Sequence, residues 1–284
     1  MSQTQQRMKH LILPFLFVLT VTVTHAQKLK GTRNVTVSER EITAFDSIEI
    51  TNNVEVFLTK GDVASLEIEA DDNLHESISV FQTQGMLRIG STQEVSSFKK
   101  YSVKITYAED LNLIVAKGTV LITGLTDITS SDLTIKLFDN TKLYANLRSD
   151  KFTLMAHDKT KVEMNLVAPE TVLELNHNAQ VKALITATQF KADLYNKANA
   201  QIEGDVQKGK FMLDNSADFT GKNLTTLLAD IQLNDQAKLS LEVTQKAVIS
   251  ATGSSFLELH NEQKLEVNQF TDRAVISKKN NKIK

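Results

Sequence analysis

Asp139, Asp158 and His177 recur at a regular spacing of about 19 residues and are the side chains in this sequence best suited to chemistry. Two carboxylates and an imidazole can share a divalent cation, and hard oxygen ligands favour calcium. If the fold stacks positions with this spacing, the two carboxylates also repel each other, and a bound cation would relieve this repulsion. The spacing therefore predicts a metal site for calcium at these three residues.

The same position also has a purely conformational interpretation. It continues as Asn196, Asn215 and Asp235, and Asn and Asp tolerate left-handed backbone angles and cap their own turns. A corner that repeats once per coil would select these residue types with no ligand at all. On this interpretation the protein needs no cofactor. On the metal-site interpretation, calcium is the one cofactor that the sequence suggests.

Aromatic side chains beside these turns are candidates for partner contact. Phe138 and Tyr195 stand just before the turn in their repeats, where the two repeats between them have His157 and Asn176. An exposed ring can bind a glycan or a protein surface, although it can also cover a neighbouring loop. The sequence therefore predicts a glycan or a cell-envelope protein as the partner, with Phe138 and Tyr195 as surface contacts.

Signatures of catalysis are absent from the sequence. It has no cysteine, no tryptophan, no Ser-His-Asp order and no glycine-rich phosphate loop. We therefore expect a non-enzymatic interaction module of the cell surface or envelope. Two alternatives stay open. One is a carbohydrate-active β-helix enzyme, with carboxylates among outward residues such as Glu163, Glu174 and Asp193, and the other is a purely structural envelope protein.

A repeating fold must position these residues. A small residue follows each polar turn, and this anchor recurs once per repeat as Thr141, Thr160, Ala179, Ala198, Ala217, Ala237 and Ser255, with Arg273 as a weaker match in the last repeat. Apolar residues recur at every second position on both sides of the anchor, which is the periodicity of a β-strand. A fixed period of this length indicates units that must stack to bury their apolar faces. The pattern predicts an all-β fold, a right-handed parallel β-helix or solenoid with coils of about 19 residues.

This register predicts four files of inward residues, where a file is the set of equivalent positions in successive coils. The file four residues before the anchor contains Leu137, Ala156, Leu175, Leu194, Leu213, Leu233 and Ala251. The file two residues after the anchor runs from Leu143 to Val275. An aspartate at Leu175 or Leu194 would place an unpaired charge in a dry interior, so we expect it to unfold the rod.

The segment 27–115 alternates apolar and polar residues without the regular period. It contains a predicted hairpin from Ile78 to Ile89 and a short helical turn at 72–77. We expect this segment to form a β-rich cap with early coils, because an open solenoid end exposes strand edges. Together with regular coils at 116–277 it makes residues 27–277 a single domain, which a basic tail at 278–284 follows.

The amino end has the pattern of a secretory signal peptide. Arg7 and Lys9 precede an uncharged stretch, and Thr24 to Ala26 supply a small-x-small cleavage site before Gln27. We therefore expect residues 1–26 to be removed and the protein to be exported to the periplasm or the cell surface. A chain without cysteine is not a lipoprotein, and no second apolar run of membrane-spanning length follows in the mature sequence.

The charge of the mature chain limits its partners. It would carry 30 basic and 34 acidic residues, a formal net charge of −4. Such a chain lacks the basic surface that nucleic acid requires, so we expect no nucleic-acid partner. Association of rods through their ends is a further expectation for the oligomeric state.

Several short segments resemble the head-GIN-domain family of auto-transporter adhesins. These are Phe45 to Ile48, Asn52 to Val56, Leu87 to Ile89, and Ile105 to Leu111, which leads into the serial polar turns. The resemblance covers about residues 36–277 and implies an exported β-helical protein of unassigned biochemistry, with no catalytic residues to carry over. The turns are commonly Gly-Ser-Gly in that family, and here only Gly253-Ser254-Ser255 comes near that form.

Overall fold

The structure, a computed structural model, describes residues 28–279 and consists almost entirely of β-strands. The predicted signal peptide at 1–26 and the end of the basic tail lie outside the described residues. The amino-terminal part contains β1 (Leu29–Lys30), β2 (Val35–Arg40), β3 (Ser47–Thr51), β4 (Glu55–Lys60), β5 (Ser65–Asp71), a 3₁₀ helix (Asp72–Ser77), β6 (Ile78–Thr83), β7 (Met86–Ser91), β8 (Val95–Ser96) and β9 (Tyr101–Tyr107). The remainder contains β10 (Leu113–Lys117), β11 (Leu121–Gly124), β12 (Ile128–Leu137), β13 (Lys142–Ala156), β14 (Lys161–Val167), β15 (Glu170–Leu175), β16 (Gln180–Leu194), β17 (Asn199–Leu213), β18 (Asp218–Leu233), β19 (Lys238–Ala251), β20 (Phe256–His260), β21 (Lys264–Phe270) and β22 (Val275–Lys279).

The chain forms a β-solenoid of about nine turns with coils of about 19 residues, as predicted. Equivalent positions of successive coils pair in parallel: Leu137 pairs with Ala156, Ala156 with Leu175, and Leu175 with Leu194. All four side chains are fully buried. The predicted internal file is therefore confirmed. Outward side chains alternate with the inward ones along the strands and form files on the surface.

The interior alternates bulky and small residues so that neighbouring coils interlock. Phe190, Phe211 and Phe219 form one aromatic cluster, and the ring centroids of Phe211 and Phe219 lie 5.1 Å apart. Gly209 is buried beside them, and a Cβ added there would lie 2.5 Å from the ring of Phe211. The glycine thus provides the space that the ring occupies, as close packing requires.

The amino-terminal cap extends the solenoid and then closes its edge. β3 pairs in parallel with β10 and β7, while β4 pairs in parallel with β11 and β9, so two further layers of strands lie below the regular coils. Antiparallel strands β5 and β2 then cover β9, and β6 covers β7. The predicted hairpin and helical turn are both confirmed, as β6–β7 and the 3₁₀ helix.

Asp71 holds the cap together through a buried carboxylate. It accepts hydrogen bonds from the backbone N–H groups of Arg33 at 2.7 Å, Lys99 at 3.0 Å and Lys100 at 3.1 Å. Burial raises the pKa of this carboxyl, but these hydrogen bonds outweigh it and hold the pKa below its ordinary value. The charged form of Asp71 therefore ties separate strand ends to one point.

The last coil departs from the predicted register by one residue. Ile276 pairs with Leu257, so the inward residue is Ile276, and Val275 is 47% exposed. The prediction of Arg273 as anchor and Val275 as inward residue is therefore wrong, because Ala274 makes the corner hydrogen bond that Ser255 makes one coil earlier. Lys278 and Lys279, predicted to lie in the basic tail, belong to β22.

Within residues 28–279, the carboxyl end of the solenoid has no covering layer. β21 pairs only with β19, β22 pairs only with β20, and every residue of β21 is exposed. Its apolar side chains Leu265, Val267 and Phe270 consequently face solvent. Across the same residues, no helix has the length and hydrophobicity needed to cross a lipid bilayer.

Candidate functional site

The corner file is the set of turn residues, one per coil, that includes the predicted metal ligands Asp139, Asp158 and His177. One residue per coil has a positive φ, between 54° and 88°, and these residues are Asn52, Gly118, Asp139, Asp158, His177, Asn196, Asn215, Asp235, Gly253 and Asp272. Backbone hydrogen bonds connect equivalent corners, for example from Lys159 N–H to Asp139 O at 2.8 Å. The prediction that this corner selects residues tolerant of the left-handed region is confirmed.

Side chains of the corner file form hydrogen bonds with the corner of the preceding coil. The carboxylate of Asp139 accepts the N–H of Gly118 at 2.8 Å, and the carboxylate of Asp158 accepts the N–H of Asp139 at 3.3 Å. Nδ1 of His177 lies 3.0 Å from Oδ1 of Asp158. Among residues 28–279, no group of three or more His, Cys, Asp or Glu side chains is arranged to hold a metal ion. The calcium site at Asp139, Asp158 and His177 thus stays one of the two alternatives that the sequence leaves open.

Phe138 and Tyr195 lie in one file beside this corner, three coils apart and half-buried. The ring of Phe138 stacks on His157 with centroids 5.4 Å apart, and Lys117 Nζ lies 5.9 Å from the centroid of the Phe138 ring. Burial, followed by the negative charge of Asp193, raises the pKa of the Tyr195 hydroxyl. Each predicted contact residue therefore packs against its own neighbours, and the two rings do not form one surface.

A groove lies instead on the outer face that follows the corner. Two adjacent surface files line it over four coils: Tyr144, Glu163, Lys182 and Gln201 form one file, and Asn146, Asn165, Leu184 and Glu203 form the other. We call this the polar groove, and its volume is about 530 Å³. Ala145, Met164 and Ala183, which occupy one inward file, contribute to its floor.

The side chains of the polar groove combine apolar and hydrogen-bonding surface. Tyr144 is 38% exposed and Leu184 is 52% exposed. Nδ2 of Asn165 donates to Oδ1 of Asn146 at 2.9 Å, and Glu203 accepts from Asn223 Nδ2 at 3.1 Å. Asn146, Asn165 and Glu203 are thus ordered by hydrogen bonds between coils, while the tyrosine ring and the leucine side chain remain accessible.

The polar groove was not predicted from the sequence. Its residues recur once per coil, as the corner residues do, but Tyr144, Glu163, Lys182 and Gln201 differ in type and show no shared motif. The available signal was the outward position three residues after the anchor, combined with small inward residues at Ala145 and Ala183. This pattern can be recognised as a groove only once the fold shows which files are neighbours on the surface.

A second groove lies on the face that precedes the corner. Its volume is about 600 Å³, and its lining includes Lys191, Lys208, Lys210 and Lys246, together with apolar Leu228. We call this the lysine groove. Lys210 and Lys191 occupy paired positions on adjacent strands, and Lys191 forms an ion pair with Asp193 at 2.5 Å. The lining also contains the carboxylates of Glu170 and Asp230, so its four lysines leave an excess of positive charge, which favours anions.

Comparisons with known proteins agree with this architecture. The family model described as "Putative auto-transporter adhesin, head GIN domain" matches residues 44–262. No curated protein matches the chain significantly.

Solved structures of similar fold include three from species of Parabacteroides. Two from Parabacteroides distasonis are described as a "putative lipid binding protein", with 15% identity and a TM-score of 0.62, and a "putative adhesin", with 14% identity and a TM-score of 0.65. A third, from Parabacteroides merdae, is also described as a "putative adhesin", with 16% identity and a TM-score of 0.57. The similarity covers 89% of this chain and 99%, 100% and 99% of those chains, respectively. At these identities the likeness shows a shared fold.

Proposed function

The chain belongs to the head GIN domain family of auto-transporter adhesins, and from this membership we propose that it is an exported, non-enzymatic module that binds partners at the cell surface or in the envelope. Residues 1–26, with their small-x-small cleavage site, support export. The absence of cysteine from the sequence supports a form without a lipid anchor.

The observation that carries this proposal is the regular presentation of side chains on a rigid frame. Each outward file repeats one position per coil, and its members pair in register from β12 to β17, before the register shifts between Gln201 and Glu203 where β17 pairs with β18. Such a rod offers long concave surfaces that do not need to fold upon binding, which is how solenoid proteins bind their partners. A large preformed surface suits adhesion better than it suits chemistry at a single point.

Binding of labelled mature protein to intact bacterial cells and to isolated envelope fractions tests the proposal. We expect saturable binding by the native protein and none by the Leu194→Asp variant, whose rod cannot fold. Absence of saturable binding to both preparations would contradict the proposal. Release of shortened sugars from a bound glycan would instead support the carbohydrate-active β-helix enzyme.

A second candidate function is binding of an anionic lipid. The lysine groove supports it, because Lys208 and Lys210 project from one strand beside Leu228 and so combine positive charge with apolar surface. One similar structure is described as a lipid binding protein. Co-sedimentation with phosphatidylglycerol vesicles tests this candidate, and a Lys208→Gln/Lys210→Gln variant should sediment less. Equal sedimentation of the two proteins, or of neither, would exclude it.

A further inference from the structure

We infer that the polar groove is a binding site for a neutral glycan chain. This inference rests on the proposed function and names the class of ligand that one surface of the module takes. The groove lies on β13, β14, β16 and β17. It is separate from the corner file, which contains the metal ligands predicted from the sequence.

The side-chain types of the groove match the chemistry of a sugar. A sugar ring has an apolar face and a polar edge of hydroxyl groups, so it binds best where an aromatic ring lies beside side chains that accept and donate hydrogen bonds. Tyr144 supplies the exposed ring, and Leu184 supplies further apolar surface two coils away. Asn165 and Gln201, which flank them, offer amide donors and acceptors.

Glu163 and Lys182, two charged residues of the groove, do not form an ion pair with each other. Glu163 and Lys182 occupy paired positions on β14 and β16, but no ion pair of 4.0 Å or less forms between them. Their side chains are left to water in the free protein. Hydroxyl groups of a ligand can replace that water, because a hydroxyl both donates to a carboxylate and accepts from an ammonium group.

The charge balance of the groove selects among glycans. The groove contains two carboxylates, Glu163 and Glu203, against one ammonium group, Lys182. This balance repels polyanions such as nucleic acid or acidic polysaccharide, which would instead be drawn to the lysine groove. A neutral chain is the glycan class that the polar groove accepts without an uncompensated charge.

The shape of the groove fits a chain better than a single sugar. Four coils at the usual strand spacing make the groove about 14 Å long, which accommodates several linked sugars and exceeds the length of one. Both surface files have the strand spacing, so a chain that lies along them contacts a further pair of side chains in each coil. We therefore expect oligosaccharides to bind more tightly than their monosaccharides.

Glycan-array screening followed by calorimetric titration tests this inference. The probes are gluco-, manno-, galacto- and N-acetylglucosamine oligosaccharides, with heparin as an anionic probe. We expect the mature protein to bind at least one neutral oligosaccharide. We expect Tyr144→Ala and Glu163→Gln each to weaken that binding about tenfold or more, because the inference makes the ring and the carboxylate the main contacts of the site, and loss of such a contact costs at least that much.

Tyr195→Ala is the matched control, since it removes a tyrosine from the corner side of the same rod. It should bind the oligosaccharide as the native protein does, and all three variants should melt cooperatively. Binding to heparin alone, binding to no neutral oligosaccharide, or equal binding by Tyr144→Ala would overturn the inference. If Tyr144→Ala still binds envelope fractions normally, the groove assignment fails while the proposed function stands; if the native protein binds no fraction, the proposed function fails.

Discussion

Nδ1 of His177 lies 3.0 Å from Oδ1 of Asp158, the equivalent corner residue one coil earlier. The other carboxylate oxygen of Asp158 accepts the N–H of Asp139, so both oxygens already have partners within the protein. These contacts lead us to expect that calcium produces no heat in a titration and no change in melting temperature. A calcium-dependent rise in melting temperature that Asp158→Asn abolishes would establish the metal site instead.

The positive φ of His177, 58°, makes this position sensitive to residue type. His177→Val should destabilise the solenoid by about 1–2 kcal/mol, because a β-branched side chain is strained in the left-handed region. His177→Asn is the matched control and should lie within about 0.5 kcal/mol of the native protein, since Asn tolerates this region. Urea denaturation measures both. Equal stability of the two variants would show that the corner does not constrain the residue type.

Leu194 tests the inward assignment of its file. Leu194→Asp should abolish cooperative melting, because it buries a charge with no partner in a fully dry position. Thr186→Asp, an exposed position on the same strand β16, should melt cooperatively near the native temperature. Circular dichroism melts compare the two. A folded Leu194→Asp protein would mean that this file faces solvent.

Asp71 makes the cap sensitive to acid. Its folded-state pKa is lowered, so its contribution to stability is complete above the unfolded pKa of about 3.9 and is lost as the pH falls through the folded value. We expect urea midpoints of the native protein to decline below about pH 4 more steeply than those of Asp71→Asn. Glu76→Gln, an exposed carboxylate on the neighbouring 3₁₀ helix, should decline as the native protein does. Parallel declines for all three proteins would exclude this role for Asp71.

Gly204 is required by a close approach between coils. Its φ is +117°, and a Cβ at this position would lie 2.1 Å from the carbonyl oxygen of Ile185. Gly204→Ala should therefore cost about 2–4 kcal/mol, whereas Asp205→Ala at the exposed neighbouring position should change stability by less than about 0.5 kcal/mol. Chemical denaturation provides the comparison. A neutral Gly204→Ala substitution would show that β16 and β17 can separate without loss.

The regular coils could be predicted because two periods coincide in the sequence. Alternation of apolar and polar residues assigned Leu137 and Leu194 to strands, and the spacing of the repeats placed them in one file. At the carboxyl end, the 18-residue spacing between Ala237 and Ser255 predicts Arg273 as the next anchor, but the turn occupies Asp272 and Arg273, and Ala274 follows it, 19 residues after Ser255. Exposed residues on both faces of β21 carry no burial signal that could have corrected this error.

The cap and the grooves were harder to predict, for two physical reasons. The pairing of β3 with both β7 and β10 brings together segments on either side of a long insertion, and no period in the sequence records such non-local pairing. The polar groove is lined by outward side chains of four different coils, which become neighbours only when the coils stack. Outward residues are free to vary in type, so the sequence alone gives little indication of which of them line a common groove.

The equivalence of successive corners makes the reach of this rod an adjustable quantity. Asn178 and Lys197 hold the same place in consecutive coils, and each donates its N–H to the corner carbonyl one coil earlier. A chain that skipped from Asn178 to Ala198 would meet the same geometry and become shorter by one strand spacing, about 4.8 Å. Gain or loss of single units could thus change the length of the molecule without any new packing having to arise.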